Sequence, residues 1–493
     1  MDAWKRSCRN VDSSGWSVVV LTWHLSVICF AGGGREFLVS DSRPIQPTSV
    51  QPTMIRNLCC GQPSMLLAVV LFCLFATSAG AADGSTIAVN SGDTAWLLVS
   101  TALVLFMMIP GLALFYAGLV GARNVLSLFM QCFALTCVMS LLWLVCGYSL
   151  SFSDGNAFIG GLGEVFMSGL TIESVRADCP QIPKVLHFVY QMMFFMITPG
   201  LFIGAFAERM KFSVILIFSV LWGLLVYAPC CYGVWHRAGE FMGLSGVKDL
   251  AGGIVVHVTA GVAALVACVM VGPRRGFPST AFLPHNLVLT LVGAAMLWVG
   301  WFGFNGGSQL AANGAAAMTI TVTHLSACAA SVVWMMIEWL KNGKPSVLGI
   351  ATGSIAGLAA ITPASGLVGP QGALIIGSVS AVLCWYACAK LKRRFHYDDA
   401  LDVFGVHGIG GIVGTLLLAV LGTKSFAGGL GDFEIASQLK TQVLAILYTS
   451  LLSGGVSFVV LWGLDKTIGL RVSEGAESEG LDLAEHGESA YNS

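Results

Sequence analysis

Apolar and polar positions divide the chain into three regimes. Residues 1–53 hold no apolar run of membrane length, and the stretch from Pro44 to Thr53 reads as disordered. At Met54 the pattern changes. Arg56 supplies a short basic start, Met65 to Ala76 an apolar run, and Ala79-Gly80-Ala81 a small-residue cleavage site, which together predict a signal peptide over residues 54–82. A signal peptide placed so far in predicts Met54 as the true start and residues 1–53 as an N-terminal extension that is not translated. Beyond it lie eleven long apolar segments, at 95–119, 125–150, 185–207, 212–235, 250–271, 285–305, 315–340, 347–362, 370–390, 402–421 and 440–465. They predict an all-α membrane protein with eleven transmembrane helices in a membrane domain over residues 83–470. The tail, residues 471–493, is polar and acidic and by itself reads as a flexible or partner-ordered segment.

Composition agrees with the pattern. Hydrophobic residues make up 56% of the 493 residues and charged residues only 10%, against about 25% charged in soluble proteins. The net charge of −1 gives no sign of a nucleic-acid partner. The 59 glycines predict closely packed helices. The 15 cysteines include no CxxC pair and no metal-ligand spacing, and those in apolar runs, such as Cys132, Cys137, Cys146 and Cys328, read as small hydrophobes. No metal, cofactor or nucleophile–base set stands out, so an enzyme is not expected. With the N-terminus of the membrane domain outside and the tail cytoplasmic, thirteen Lys and Arg fall on the inner side and six on the outer, as the positive-inside rule requires. Glu208, Arg209 and Lys211, and the basic run Lys390 to Arg394, read most simply as markers of that topology.

One polar pattern occurs twice inside this apolar chain. Asp249-Leu-Ala-Gly-Gly-Ile-Val-Val-His257 and Asp399-Ala-Leu-Asp-Val-Phe-Gly-Val-His407 each place an aspartate eight residues before a histidine. Ionisable residues within a membrane are candidates for function by default. The fifth segment runs from outside to inside and the tenth from inside to outside. That is an inverted repeat, helices one to five against six to ten, plus a final helix. Each histidine lies about 12 Å into its helix, and with a hydrocarbon core of about 30 Å the two converge near the midplane, about 6 Å apart in depth. Neutral imidazole carries one donor and one acceptor. Two that share a proton each keep one nitrogen for a pore, and burial favours the neutral form. Both aspartates stand where helix N-caps belong.

Several longer motifs carry a resemblance. They are Phe106 to Gly118 with Pro-Gly-Leu-Ala-Leu-Phe-Tyr-Ala-Gly, Gly204-Ala-Phe-Ala-Glu-Arg-Met-Lys-Phe212, the run Asp249 to His257, Gly300-Trp-Phe-Gly-Phe-Asn305 and Asp402-Val-Phe-Gly-Val-His-Gly408. The tail, with Glu479-Gly-Leu-Asp482 and His486-Gly-Glu-Ser-Ala-Tyr491, adds to them. From about Ala95 onward the chain resembles the ammonium transporter, methylammonium permease and Rhesus family, most of all its bacterial ammonium-channel branch. The resemblance implies a homotrimer in the lipid bilayer of the cell inner membrane, each subunit with its own hydrophobic pore for ammonium or ammonia. It implies an outer ammonium site formed by Trp235, Phe194 and Ser308, and a gate of Phe194 and Phe304. It further implies paired pore histidines His257 and His407, a buried acid Asp249 beneath the outer site, and pore-lining positions at Trp301, Thr362 and Tyr116. A cytoplasmic face that docks a PII-type signalling protein is also implied. The chain departs from the family pattern at three places. Met192 and Met193 precede Phe194 and Phe195 follows it, leaving the gate position open between 194 and 195. Pro199 falls within the third helix. His236 and Arg237 put cationic side chains beside Trp235. The expected function is uptake of ammonium, its deprotonation at the outer mouth and conduction of ammonia. The alternatives are an ammonium sensor of the same fold and a Rhesus-like gas channel.

Overall fold

The computed structural model describes residues 89–237 and 239–491. The expected extension 1–53 and signal peptide 54–82 lie outside the described residues. Among the described residues, ten helices are long and apolar enough to cross a membrane. They are α1 (Ser91–Leu119), α2 (Ala122–Phe152), α3 (Lys184–Phe206), α4 (Phe212–His236), α5 (Gly253–Val271), α6 (Leu287–Gly307), α7 (Gly314–Asn342), α9 (Pro370–Phe395), α10 (Phe404–Leu421) and α11 (Ile435–Thr467). The expected eighth segment forms α8 (Val347–Ile361), an apolar helix of 15 residues. At 1.5 Å per residue it is about 22 Å long.

Helix starts follow side-chain chemistry. Asn90, Asn286 and Asn313 each accept two main-chain amides at the starts of α1, α6 and α7, and Ser346 caps α8. Burial then sorts the helices. The most apolar stretch of α3 is 89% buried, that of α5 72% and that of α10 67%, against 28% for α11. The three central helices are therefore those that carry Phe194, His257 and His407. Pro199 is accommodated within α3, where Thr198 bonds back to Phe194 O at 2.6 Å.

The tail differs from the expectation of a flexible or partner-ordered segment. It forms two short helices, α12 (Glu474–Glu479) and α13 (Leu481–His486), docked on the loops at one end of the bundle. Arg471 is the clasp: it ion-pairs with Glu477 at 2.8 Å and donates to Val271 O and Pro273 O. Asp482 accepts from Ser127 N at 2.7 Å, Leu481 N donates to Asn124, and Tyr491 meets His285 at 2.9 Å. Arg209 also exceeds its expected part. It is fully buried and donates to the carbonyls of Gly272, Ala207, Ala205 and Asp398, cross-tying three loops. Glu208, held at φ +73, bonds Gly121 N, Asn124 and Arg274.

Candidate functional site

Each copy of the Asp-x7-His pattern builds the same local unit. Asp249 Oδ1 accepts from the amides of Gly252 (2.8 Å) and Gly253 (2.7 Å), and Oδ2 from those of Ile254 (2.7 Å) and Val255 (3.1 Å). These donors have no partner within the first turn of a helix, so Asp249 is an anionic cap. Gly252 turns the chain over the carboxylate at φ +113, a region that disfavours other residues. Asp399 does the same for Val403 N (3.0 Å) and Phe404 N (2.7 Å). Burial pushes the Asp399 carboxyl up to about 6, with the Asp402 charge adding. Burial also pushes Asp249 up, against its four amide donors. Both runs then widen into π-helical turns, Gly253–Val258 and Phe404–Gly408, and each histidine sits in one of them.

The crossing of α5 and α10 brings the histidines together. A Cβ at Gly261 would lie 2.3 Å from Gly408 Cα, and one at Gly411 would lie 2.9 Å from His257 Cβ. Only hydrogen at these positions lets the two backbones meet. His257 Nδ1 then lies 3.3 Å from His407 Nδ1, with ring centroids 5.2 Å apart and planes 20° from parallel. One proton serves that contact, so one imidazole presents an acceptor Nε2 elsewhere and the other a donor. His257 Nε2 is buried without a hydrogen-bond partner.

Both histidines line a slot of about 10 Å³ whose other walls are apolar, among them Leu112, Ile197, Val256 and Leu297. That is room for about one water. Trp301 stacks on His257 (5.6 Å, 25°) and also lines the slot. Thr362 lines neither this slot nor the cavity beyond it. It accepts from Trp301 Nε1 at 2.9 Å and so fixes that ring. On the other side of His407 a cavity of about 310 Å³ opens past Phe115 and Tyr116 toward Arg274, Lys392, Asp398 and Asp402. Tyr116 donates to Leu201 O at 2.7 Å.

Phe304 stands in the slot wall and stacks on Phe194 (4.2 Å between centroids, 30°). Phe194 meets the Trp235 ring edge-on at 5.7 Å and 89°, and Trp235 Nε1 donates to Asp249 O at 2.9 Å. Phe195 packs elsewhere, against Trp143 and Tyr227. Of the two phenylalanines, Phe194 is the one brought to Phe304 and Trp235. Ser308 follows α6 and donates to Phe304 O at 2.8 Å.

Both residues expected to be cationic beside Trp235 are engaged, and of the two only Arg237 is a cation. Arg237 ion-pairs with Glu240. His236 Nδ1 lies 3.2 Å from Arg176 Nη2, and because arginine only donates, His236 accepts there. Tyr190, absent from the expected site, touches both Phe194 and Ser308. One more aromatic in an aromatic-rich helix carries no distinguishing signal in the sequence.

Comparison with known proteins bears on this geometry. Residues 95–491 match the Ammonium Transporter Family. The ammonium transporter of Bacillus subtilis is 43% identical over 403 residues, 81% of this chain and 98% of its own length. Ammonium transporter Amt1 of Archaeoglobus fulgidus is 42% identical over 405 residues, 82% of this chain and all of its own length (100%). Among solved structures, a sensor Amt protein superposes with a TM-score of 0.74 at 28% identity, covering 80% of this chain and 98% of its own. Candida albicans Mep2 superposes with 0.71 at 30%, covering 78% and 87%.

Proposed function

The chain belongs to the ammonium transporter family, and from that premise we propose that it takes up ammonium, deprotonates it at an outer site and conducts ammonia through a twin-histidine pore. The observation that carries this reading is the His257–His407 pair. Its imidazoles are joined through Nδ1, and His257 Nε2 lies unpartnered in an apolar slot. Transferring a bare ion of ammonium size into such a slot has an idealised cost of about 20 kcal/mol. Ammonium avoids that cost by releasing a proton, which potassium cannot do. Neutral ammonia then meets one donor and one acceptor on the imidazoles and otherwise apolar walls.

Trp235, Phe194 and Ser308 form the recruiting site in this scheme. Aromatic faces attract a cation by about 0.5–2 kcal/mol, and a hydroxyl accepts one N–H. Phe194 and Phe304 are the gate, supported by their 4.2 Å stack. Asp249 closes the floor beneath Trp235 through its carbonyl, and Trp301, Thr362 and Tyr116 shape the conduit. Counting α8, eleven helices span the membrane as an inverted repeat with α11 added; the matching carboxylate caps and π-helical turns of the two copies support it. The N-terminus of the membrane domain faces outward and the tail lies in the cytoplasm of an inner-membrane homotrimer. The docked tail and neighbouring basic loops form the face for a PII-type protein. A pull-down with and without residues 470–493 tests that partner, and N-terminal sequencing tests cleavage after the signal peptide.

The deciding experiment is current recording on proteoliposomes after an ammonium pulse. An inward current establishes electrogenic uptake, and an ammonium-dependent pH change without current establishes ammonia conduction. The absence of both responses would overturn the transport reading and favour a sensor, which the likeness to the solved sensor Amt protein supports as a second reading.

A further inference from the structure

His236 closes α4 directly after Trp235, and the scheme above gives it no part. We propose that His236 is a positioning residue that makes ammonium recruitment sensitive to external pH. Neutral, it braces the Trp235 end of α4 against Arg176. Protonated, it leaves Arg176 for Asp154 and puts a positive charge beside the cation site. The inference rests on the reading of Trp235 as part of that site.

The brace is built on Arg176, which is buried in the outer loop. Its Nε and Nη2 donate to the two carboxylate oxygens of Asp178 at 2.9 and 2.8 Å, and Nη1 to Phe152 O at 3.0 Å. Nη2 also meets His236 Nδ1 at 3.2 Å. One guanidinium thus ties the outer loop to the ends of α2 and α4. Arginine has no lone pair to offer, so this last contact exists only while Nδ1 carries no proton. The imidazole proton is then on Nε2, which faces Asp154 Oδ1 at 3.8 Å. A second proton, on Nδ1, sets two donors against each other across the Arg176 contact. The charged ring keeps only its Asp154 side. The His236 side chain is 17% exposed and so within reach of external protons.

The other charges around His236 are committed. Within α4 its ring stacks on Tyr232 (5.1 Å, 25°), and Arg237 is paired with Glu240. From α2 the Phe152 ring meets it edge-on at 6.4 Å and also meets His187 of α3 at 4.7 Å. His187 Nδ1 is engaged by Tyr148 Oη at 3.2 Å. In the outer loop Asp178 belongs to Arg176, and Glu164 to Lys184 at 2.7 Å. Asp249, across Trp235, serves its four amides. Among the described residues Asp154 has no lysine or arginine paired with it, and it is left to receive a charged His236. Two effects of acid then act in one direction. Loss of the Arg176 bond frees the residue next to Trp235, whose ring meets Phe194 edge-on and whose Nε1 is fixed on Asp249 O. The new charge repels a bound cation. By linkage, ammonium in the site opposes that protonation as strongly as the proton opposes ammonium.

Methylammonium uptake by the full-length protein in proteoliposomes of fixed internal pH tests this. Methylammonium itself stays protonated throughout, so external pH acts on the protein. As external pH falls from about 8 to about 5, the half-saturating concentration of the wild type is expected to rise about threefold to tenfold. His236→Asn, whose side-chain oxygen replaces Nδ1 as acceptor and does not titrate, is expected to hold the low alkaline value throughout. His236→Lys, with its fixed charge, is expected to hold the high acid value throughout. A flat wild-type profile overturns the proposal, as does a rise in acid that persists in His236→Asn, or a His236→Lys value equal to that of the wild type at the alkaline end. Should His236→Asn fail to insert, Asp154→Asn deprives the charged ring of its partner and is expected to move the rise to lower pH; an unmoved rise overturns the proposal. Trp235→Leu separates the two readings. Unchanged half-saturation in that variant at the alkaline end overturns the outer-site reading and this inference with it. A raised value there beside a flat wild-type profile overturns this inference alone.

Discussion

His257 has one ring nitrogen engaged and the other bare, and on the proposed twin-histidine reading the bare nitrogen is the one offered to ammonia. His257→Leu keeps the slot filled but removes its bare nitrogen and strands His407 Nδ1. Ammonium-driven pH change in proteoliposomes is expected to slow about tenfold or more. Asp249 separates structure from electrostatics. Its carboxylate serves four amides, so Asp249→Ala is expected to cost about 2 kcal/mol or more in detergent unfolding. Asp249→Asn, which still accepts on one oxygen, recovers part of that. Unchanged flux in folded Asp249→Ala would remove any electrostatic role and leave the cap alone. Asp399, with two amides, is the weaker cap and stands beside Lys392 and Asp402 instead of an aromatic site.

At the level of helices, what decides the site is how closely α5 and α10 approach. Gly261→Ala places a methyl 2.3 Å from Gly408 Cα. The helices are then expected to separate, with a stability loss of about 1–3 kcal/mol and loss of ammonium flux, read in the same vesicles. The helices themselves were legible in the sequence, because hydropathy is a local property: every expected apolar segment forms a helix close to its expected limits. The Asp-x7-His copies were legible too, since ionisable residues stand out against lipid-soluble neighbours. The role of Arg209 was not. Its four carbonyl acceptors come from residues 205, 207, 272 and 398, and nothing near it in the chain announces them. The same holds for the docked tail, whose partners lie about 200 to 360 residues away. The choice between Phe194 and Phe195 needed the rotation of α3 about its axis, and the hydroxyl of Tyr190 needed the end of α6 beside it.

Across the whole molecule, Arg274 and its two buried carboxylate partners join the tail end of the bundle to the start of α10. Arg274 grips Asp398 through Nε and Nη2, both at 2.9 Å, and Glu208 through Nη1, and Asp398 directly precedes the Asp399 cap of α10. Burial pushes the Asp398 carboxyl up, but the hydrogen bonds and charge of Arg274, with Arg209 behind, hold it below the usual carboxylate range. Its stabilising contribution is therefore present above the ordinary value of about 4 and is lost as pH falls through the lower folded value. Arg274→Gln leaves a buried charge alone and is expected to cost about 3–5 kcal/mol at neutral pH, a deficit that narrows in acid as Asp398 takes up a proton. Asp399, raised to about 6, contributes the opposite slope between about 4 and 6. The difference between the two proteins across a pH series of thermal unfolding is thus the quantity to measure. The narrow slot beneath Phe304 has an osmotic consequence. Room for about one water among apolar walls cannot hold an unbroken file of water, so on the proposed ammonia-conduction reading solvent does not follow the gas. Vesicles carrying this protein are expected to shrink in hypertonic medium no faster than empty ones, and a cell that fills its membrane with it gains nitrogen without becoming leaky.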